Sequence, residues 1–336
     1  MIALLIWLGL SPGAAAHSRD SLLVVFWNVE NFFDYHSENK PPYWTAGRFY
    51  AKCDAIAKTL LRIADRFGRL PDAVGLAEVE NAFVLRQLLS ATFLRKLDYR
   101  IVHYESPDHR GIDCALLCRA STLPLLRSAP KHIPDSAGGV MATRDILLAE
   151  FDSLAILVNH HPSQLGGKTE RRERARGRLR ALTDSLHAAG QPRTLAVGDF
   201  NEDVWREIRR SEPANDGKAE PANRGKAGPA NDGKAEPANR GKAGPANDGT
   251  GGPAVIPGLT GDPVARGTIK YNGGWEKIDG AFASGFAGVR EEVFDDPMLL
   301  EPDAAYGGRK PRRTFTGPRY RGGVSDHLPV VFIVYF

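Results

Sequence analysis

Leu195-Ala196-Val197-Gly198-Asp199-Phe200-Asn201 puts a carboxylate and an amide two positions apart after a short apolar run. Residues two apart in a strand share a face. Asp199 and Asn201 are therefore expected side by side at a strand end, one able to take a proton from water, the other to hold an oxyanion. Gly-Asp-x-Asn is equally a good turn sequence. The pattern recurs: Asn28 and Glu30 follow the run 22–27, and Glu78 and Glu80 follow 73–77. Asn159-His160-His161 follows 154–158, Asp279 lies within 275–282, and Ser325-Asp326-His327 precedes the apolar run 330–336. Asn28 with Glu30 also suits a cap or a turn. Neighbouring histidines on a strand point to opposite faces, so only one of the pair can serve a shared site, and His160 is favoured. There is no Cys2His2 spacing and no His-x-x-x-His pair. Carboxylates and amides instead select a hard cation, Mg²⁺ or Mn²⁺. His327, with Asp326 beside it and Asp279 available to orient its ring, has the make-up of an acid–base histidine.

These residues need elements to carry them. Residues 46–67 form a helical pattern with Ile56, Leu60, Ile63 and Phe67 on one stripe. Residues 168–187 form another, with Ala175, Leu179, Leu182 and Leu186 facing a core. Strands are expected at 99–104 and 114–118, and 146–151 with 154–158 reads as a hairpin around Asp152-Ser153. Helices alternating with strands that each end in an acid or amide indicate an α/β layered protein. Arg171, Arg172, Arg174, Arg176, Arg178 and Arg180 fit either a solvated helix face, partly neutralised by Glu170 and Glu173, or a polyanion contact. Of the three cysteines, Cys114 and Cys118 share one apolar run and read as small buried hydrophobes.

The 336 residues are 42% hydrophobic and 25% charged, ordinary for a globular protein. A formal charge of +4 requires any anionic partner to be met by a local patch. Residues 1–16 read as a signal peptide: a nine-residue apolar stretch too short to span a membrane, a Ser-Pro-Gly break, then Ala14-Ala15-Ala16, although no Lys or Arg follows Met1. A buried N-terminal strand is the other reading. The signal implies a secreted or periplasmic protein without stable membrane insertion. Residues 213–249 repeat an eight-residue unit with no large apolar side chain. Such a segment cannot offset the entropy of ordering it, so an insertion at about 211–252 is expected to be disordered. Residues 17–336 then make one interrupted domain, expected to be a monomer. Arg309, Lys310, Arg312, Arg313, Arg319 and Arg321 form a cationic loop with Phe315 and Tyr320 among them, a composition that suits phosphates and stacked bases as well as any exposed loop. Arg110 is a further candidate for a phosphate, or a surface arginine.

Taken in order, seven motifs resemble those of the endonuclease/exonuclease/phosphatase family. They are Trp-Asn-x-Glu-Asn (27–31), Glu-Val-Glu-Asn (78–81), Arg-Gly-Ile-Asp (110–113), Asn-His-x-Pro-Ser (159–163), Gly-Asp-Phe-Asn (198–201), Lys-Ile-Asp (277–279) and Ser-Asp-His-Leu-Pro (325–329). The resemblance implies a four-layer α/β sandwich, two packed mixed sheets flanked by helices, and a metal-dependent phosphodiester hydrolase, foremost an endonuclease. It implies that Glu78 holds Mg²⁺ or Mn²⁺, with Asn28 in its network and Glu30 and Asp326 as further ligands for a second ion. Asp199 would orient or deprotonate water, Asn201 would bind a phosphate oxygen, and His327, paired with Asp279, would stabilise the phosphorane or move a proton. His160 would be a second catalytic histidine, and Arg110, Arg319 and Arg321 would meet a nucleic acid substrate, DNA or RNA. His161 stands where the family pattern leads one to expect an aromatic. A lipid or small-molecule phosphodiesterase or phosphatase on the same fold, and a non-catalytic phosphate-binding protein, are the competing readings.

Overall fold

The computed structural model describes residues 20–164, 169–202 and 267–336. The expected signal peptide and the repeat insertion lie outside the described residues.

Two sheets form the centre. The first has β12 (Gly288–Val293), β17 (Val330–Tyr335), β1 (Ser21–Phe32), β2 (Ala73–Val79), β4 (Asp113–Arg119) and β3 (Tyr99–His103), in that spatial order. The second has β11 (Asp279–Ser284), β8 (Thr194–Asp199), β7 (Ala155–His160), β6 (Ile146–Glu150) and β5 (Arg127–Lys131). In β1 both faces are apolar, and the alternation sorts them. Leu22, Val24 and Phe26 face the second sheet together with Ala73, Leu116, Val158, Val197 and Phe332. Leu23, Val25 and Trp27 face a second core that includes α1 (Ala46–Phe67) and α2 (Ala82–Ser90). A third core joins Leu148, Leu157 and Ala196 to Ala175, Leu179, Leu182 and Leu186 of α3 (Thr169–Ala188). The result is helices, sheet, sheet, helix: the expected four-layer arrangement.

α1 begins where the Thr45 side chain accepts from the Arg48 N–H and ends where Gly68 turns left-handed at φ 71°. Its buried face includes Phe49, Cys53, Ile56, Leu60 and Ile63. All three cysteines are buried and unpaired.

Two elements differ from the sequence reading. The run 275–282 is not one strand. β10 (Gly274–Glu276) pairs with β9 (Ile269–Tyr271), whereas β11 starts at Asp279 and pairs with β8. Between them the Thr268 hydroxyl accepts from the N–H groups of Ile278 and Asp279, and Ile278 O accepts from Phe200, so the chain changes partners there. The cationic stretch is not an open loop either. β14 (Arg309–Pro311) pairs with β13 (Leu300–Pro302), and β15 (Phe315–Thr316) with β16 (Arg319–Tyr320).

β1 and β2 run parallel, as do β7 and β8. Their carboxyl ends, with the amino ends of β11 and β17, gather the polar residues at one rim of the sandwich. The Asn28 amide of the first sheet donates to Asp199 of the second across that rim, at 3.0 Å.

Candidate active site

The centre of the rim is Asp199, at the end of β8. Gly198 precedes it because β7 passes very close: a Cβ there would stand 2.6 Å from both Cβ and O of Asn159. The strand register then places Asp199 between His160 of β7 and Asp279 of β11. Its Oδ2 accepts from Asn28 and lies 3.6 Å from His160 Nε2 and 3.9 Å from His327 Nε2. Its Oδ1 accepts from the Asn201 N–H at 2.9 Å. The turn and site readings of Gly-Asp-x-Asn are thus both realised, with Asn201 left-handed at φ 53°. The Asn201 amide donates one N–H to His161 O at 3.0 Å and retains another.

His327 Nδ1 lies 2.8 Å from Asp279 Oδ2. The ring position is fixed from behind: Ser325 Oγ accepts the His327 N–H and donates to Asn28 O, and Trp27 Nε1 donates to His327 O. Burial disfavours the imidazolium, yet Asp279, Asp199 and Asp326 together outweigh it and hold His327 well above the usual histidine range. Burial and then Asp279 push the Asp199 carboxyl up to about 7. His160 goes the other way: burial first, then Arg144 and Arg110, keep its ring neutral. The site therefore holds a poised carboxyl, a charged imidazole and a neutral one within a few ångströms.

The second half of the rim carries Glu78, Glu30 and Asp326. Glu78 Oε2 accepts from the Asn31 N–H at 2.7 Å, and its Oε1 lies 3.4 Å from Arg110 Nη2 and 4.0 Å from His160 Nε2. Glu30 N–H donates to Asn28 Oδ1. Glu30 and Asp326 are bridged by a residue missed in the sequence. Arg313 Nη2 lies 2.6 Å from Glu30 Oε1 and 3.2 Å from Asp326 Oδ2. Lys52, also missed, is fully buried in α1 and donates to Glu30 O and Thr314 Oγ1. Burial and the neighbouring Asp326 nonetheless push Glu30 up to about 6, and burial pulls Lys52 down to about 8. Arg313 belonged to a visible cationic run; nothing local in the sequence distinguished it from the arginines around it.

Backbone strain concentrates here. Glu30, Asn31, Glu78 and Asn201 all have positive φ, between 49° and 65°. The register of β1 against β2 slips between Asn28 and Phe32, and that of β2 against β4 between Ala77 and Val79. Such conformations cost on the order of 1–3 kcal/mol each and persist where the surroundings enforce them.

The structure brings Asn28, Glu30, Glu78, Arg110, His160, Asp199, Asn201, Asp279, Asp326 and His327 to this rim. His161 points away and stacks edge-on against Phe200. Arg319 and Arg321 are elsewhere: they line an open groove with Leu300, Glu301 and Pro302, and Arg321 pairs with Glu301 at 2.8 Å. Arg319 lies exposed in β16 and Arg321 follows it, so the surface they offer a substrate is this groove.

The donor set suits a hard divalent cation. Glu78 is a buried carboxylate with one oxygen facing Arg110 at 3.4 Å, and the buried Asn28 lies beside it at the same rim, so the site offers carboxylate and amide oxygens. Oxygen-rich surroundings of this kind favour Mg²⁺ or Mn²⁺.

A family model described as "Endonuclease/Exonuclease/phosphatase family" matches residues 23–219 and 265–335. Among solved structures, truncated TDP2 from Caenorhabditis elegans superposes with a TM-score of 0.51 at 14% identity, covering 94% of this chain and 98% of that one. A mannosyl-6-phosphatase from Bacteroides thetaiotaomicron gives 0.51 at 13% identity, covering 94% and 100%. At these identities the likeness concerns the fold. No curated protein sequence matches the chain significantly.

Proposed function

The chain belongs to the endonuclease/exonuclease/phosphatase family, and on that premise we propose that it is a metal-dependent phosphodiester hydrolase, an endonuclease acting in the periplasm or outside the cell. The observation that carries the chemistry is the Asp279–His327–Asp199 line, 2.8 Å from carboxylate to ring and 3.9 Å onward.

A phosphodiester is anionic and repels hydroxide, so a catalyst must screen charge and hold water in line. Asp199 orients the attacking water and takes its proton; its carboxyl, raised by burial, is a base matched to neutral pH. Asn201 uses its free N–H on a phosphate oxygen. His327, kept charged by Asp279, neutralises the developing phosphorane and can return a proton to the leaving oxygen. His160 donates to the phosphate as a neutral imidazole. Arg110, partly exposed beside Glu78, meets the next phosphate oxygen. Glu78 holds the metal, with Asn28 in its network. When bound, Mg²⁺ or Mn²⁺ supplies charge neutralisation and a lowered water pKa. Glu30 and Asp326, first read as ligands of a second ion, already share the Arg313 guanidinium. On this reading Arg313 stands in for that ion and one metal suffices.

One feature bears on the substrate. Arg312, Arg319 and Arg321, which line one open groove, leave a local cationic surface that suits a nucleic acid. No helix among the described residues is long and apolar enough to cross a membrane. The test is Mg²⁺-dependent cleavage of plasmid DNA by residues 17–336, beside an EDTA control and Asp199→Ala. Cleavage lost in both controls supports the endonuclease. No cleavage, with metal-dependent hydrolysis of bis-p-nitrophenyl phosphate, moves the substrate to lipids or small phosphoesters. Inactivity on both substrates overturns the enzyme reading.

A further inference from the structure

The root of the β3–β4 loop carries a second convergence of ligand-type side chains, on the outer side of the first sheet. His103 is the last residue of β3 and Asp113 the first of β4. His103 faces Ala115 in the antiparallel register, and continuing that register past the strand end sets Glu105 opposite Asp113. Two carboxylates directly opposed on one face repel unless a proton or cation lies between them. His103 completes the group as their diagonal neighbour. The three residues offer ligand atoms within 4.8 Å of one another.

The internal bonding of this group is incomplete in a specific way. Asp113 Oδ1 accepts from Ser106 N–H at 3.0 Å and from the Ser106 hydroxyl, which fixes the carboxylate plane. Its Oδ2 is buried, forms no hydrogen bond within normal geometry, and faces the His103 ring. His103 Nε2 is likewise buried without a hydrogen-bond partner, on a side chain 3% exposed. These two orphaned atoms face each other at 3.4 Å. That separation matches the edge of a tetrahedron whose metal–ligand bonds are about 2.1 Å long. Glu105 Oε1 lies 4.0 Å from His103 Nδ1, and its side chain is 70% exposed, free to swing onto an ion. A buried donor or acceptor left unmet is destabilising, and one cation would meet both. The Ser106 bonds to Asp113 are the outer contacts that orient a ligating carboxylate.

We infer that His103, Glu105 and Asp113 form a binding site for a divalent transition-metal ion of the Zn²⁺ kind, distinct from the Asp199 centre. An imidazole with two carboxylates and an open fourth position suits Zn²⁺ and disfavours Ca²⁺ or Mg²⁺. The ion would pin the two ends of the loop 104–112. That loop matters to the rim because Arg110 extends from it to Asn31 Oδ1 at 2.8 Å and to Glu78. The role is therefore structural: it holds in place the arm that carries Arg110.

The experiment counts Zn²⁺ on the full chain, stripped with EDTA and refilled, by calorimetric titration and elemental analysis. The wild type is expected to bind one equivalent more than His103→Gln, while Glu78→Gln keeps this equivalent. Glu105→Ala, an exposed change that leaves the core untouched, is expected to weaken the same equivalent at least tenfold. Zn²⁺ at a hundredfold excess over its Kd should shift the folded-to-unfolded ratio of Glu78→Gln about a hundredfold and leave that of a Glu78→Gln, His103→Gln double variant unmoved by this site. Equal stoichiometry in the wild type and His103→Gln, with Zn²⁺ affinity unchanged in Glu105→Ala, would overturn the assignment.

Discussion

His161→Phe should make the protein more stable, and increasingly so as the pH falls. The ring of His161 is 1% exposed, neither nitrogen has a hydrogen-bond partner, and the neighbouring Phe200 ring stands edge-on at 5.1 Å. Everything the position contributes to the site comes from its backbone: the N–H donates to Asp199 O, and the carbonyl accepts from Asn201 Nδ2 and Arg144 Nη2. Phenylalanine keeps those bonds and removes two unmet polar atoms, a gain on the order of 1–3 kcal/mol at neutral pH. Burial, reinforced by Arg144, Arg176 and Arg172, holds the ring down to about 3 against an ordinary 6.5. The folded state therefore resists the proton that the unfolded chain accepts. This contribution to stability is intact above pH 6.5 and is lost as pH falls from there toward 3. At about 1.4 kcal/mol per pH unit, the wild type forfeits about 2 kcal/mol by pH 5 that the variant keeps. Urea unfolding at pH 7.5, 6 and 5 measures the difference. His160 carries a similar liability in both proteins and cancels. Any packing cost of the larger ring shifts the whole curve equally. A stability difference that stays constant from pH 7.5 to 5 would refute the argument.

Other changes test the rim. Asp199→Ala and His327→Ala should each lower the hydrolytic rate by about 10²–10⁴-fold with the fold retained by circular dichroism; a variant keeping more than about a tenth of the activity removes that residue from the chemistry. Arg313→Ala should free Glu30 and Asp326 and add a second Mn²⁺ equivalent, counted by electron paramagnetic resonance, where the wild-type rim binds one; an unchanged count would show that the guanidinium is no stand-in for an ion. Gly198→Ala must push β7 from β8, since its Cβ would meet Asn159 at 2.6 Å; a loss of roughly 1–3 kcal/mol is expected in urea unfolding, and an unperturbed midpoint would mean that the strands give way freely.

The layers were legible because their cause is local. A helix stripe such as Ile56, Leu60 and Ile63, or a strand such as 22–27 apolar on both faces, states its burial in its own periodicity. The rim was legible for a related reason: polar residues that end an apolar strand are delivered to the edge of a sheet. What the sequence could not express is pairing between distant segments. Arg313 looks like its five cationic neighbours until the fold sets it between Glu30 and Asp326. Lys52 is likewise not marked by the helix stripe of Ile56, Leu60 and Ile63, yet its ammonium is buried and donates to Glu30 O and Thr314 Oγ1.

The strict alternation used to read the site also fails in an informative place. Glu30, Asn31, Glu78 and Asn201 leave the strand geometry for the left-handed region. A regular strand would send Glu78 along its pleat; the turn at φ 65° instead lets its Oε2 take the Asn31 N–H from the neighbouring strand, while its Oε1 meets Arg110. Apart from Asn, these are residues that seldom accept positive φ, and no glycine relieves them. Glycine at 30 or 78 would suit the backbone better but would bring no carboxylate. The strain is therefore the cost of placing acids at the rim, and it is offset by hydrogen bonds that close on the strained residues: locally, Glu30 on Asn28 and Asn201 on Asp199, and from the neighbouring strand, Asn31 on Glu78. A sequence shows which acid is present; only the packed sheets show that its backbone has been turned to aim it.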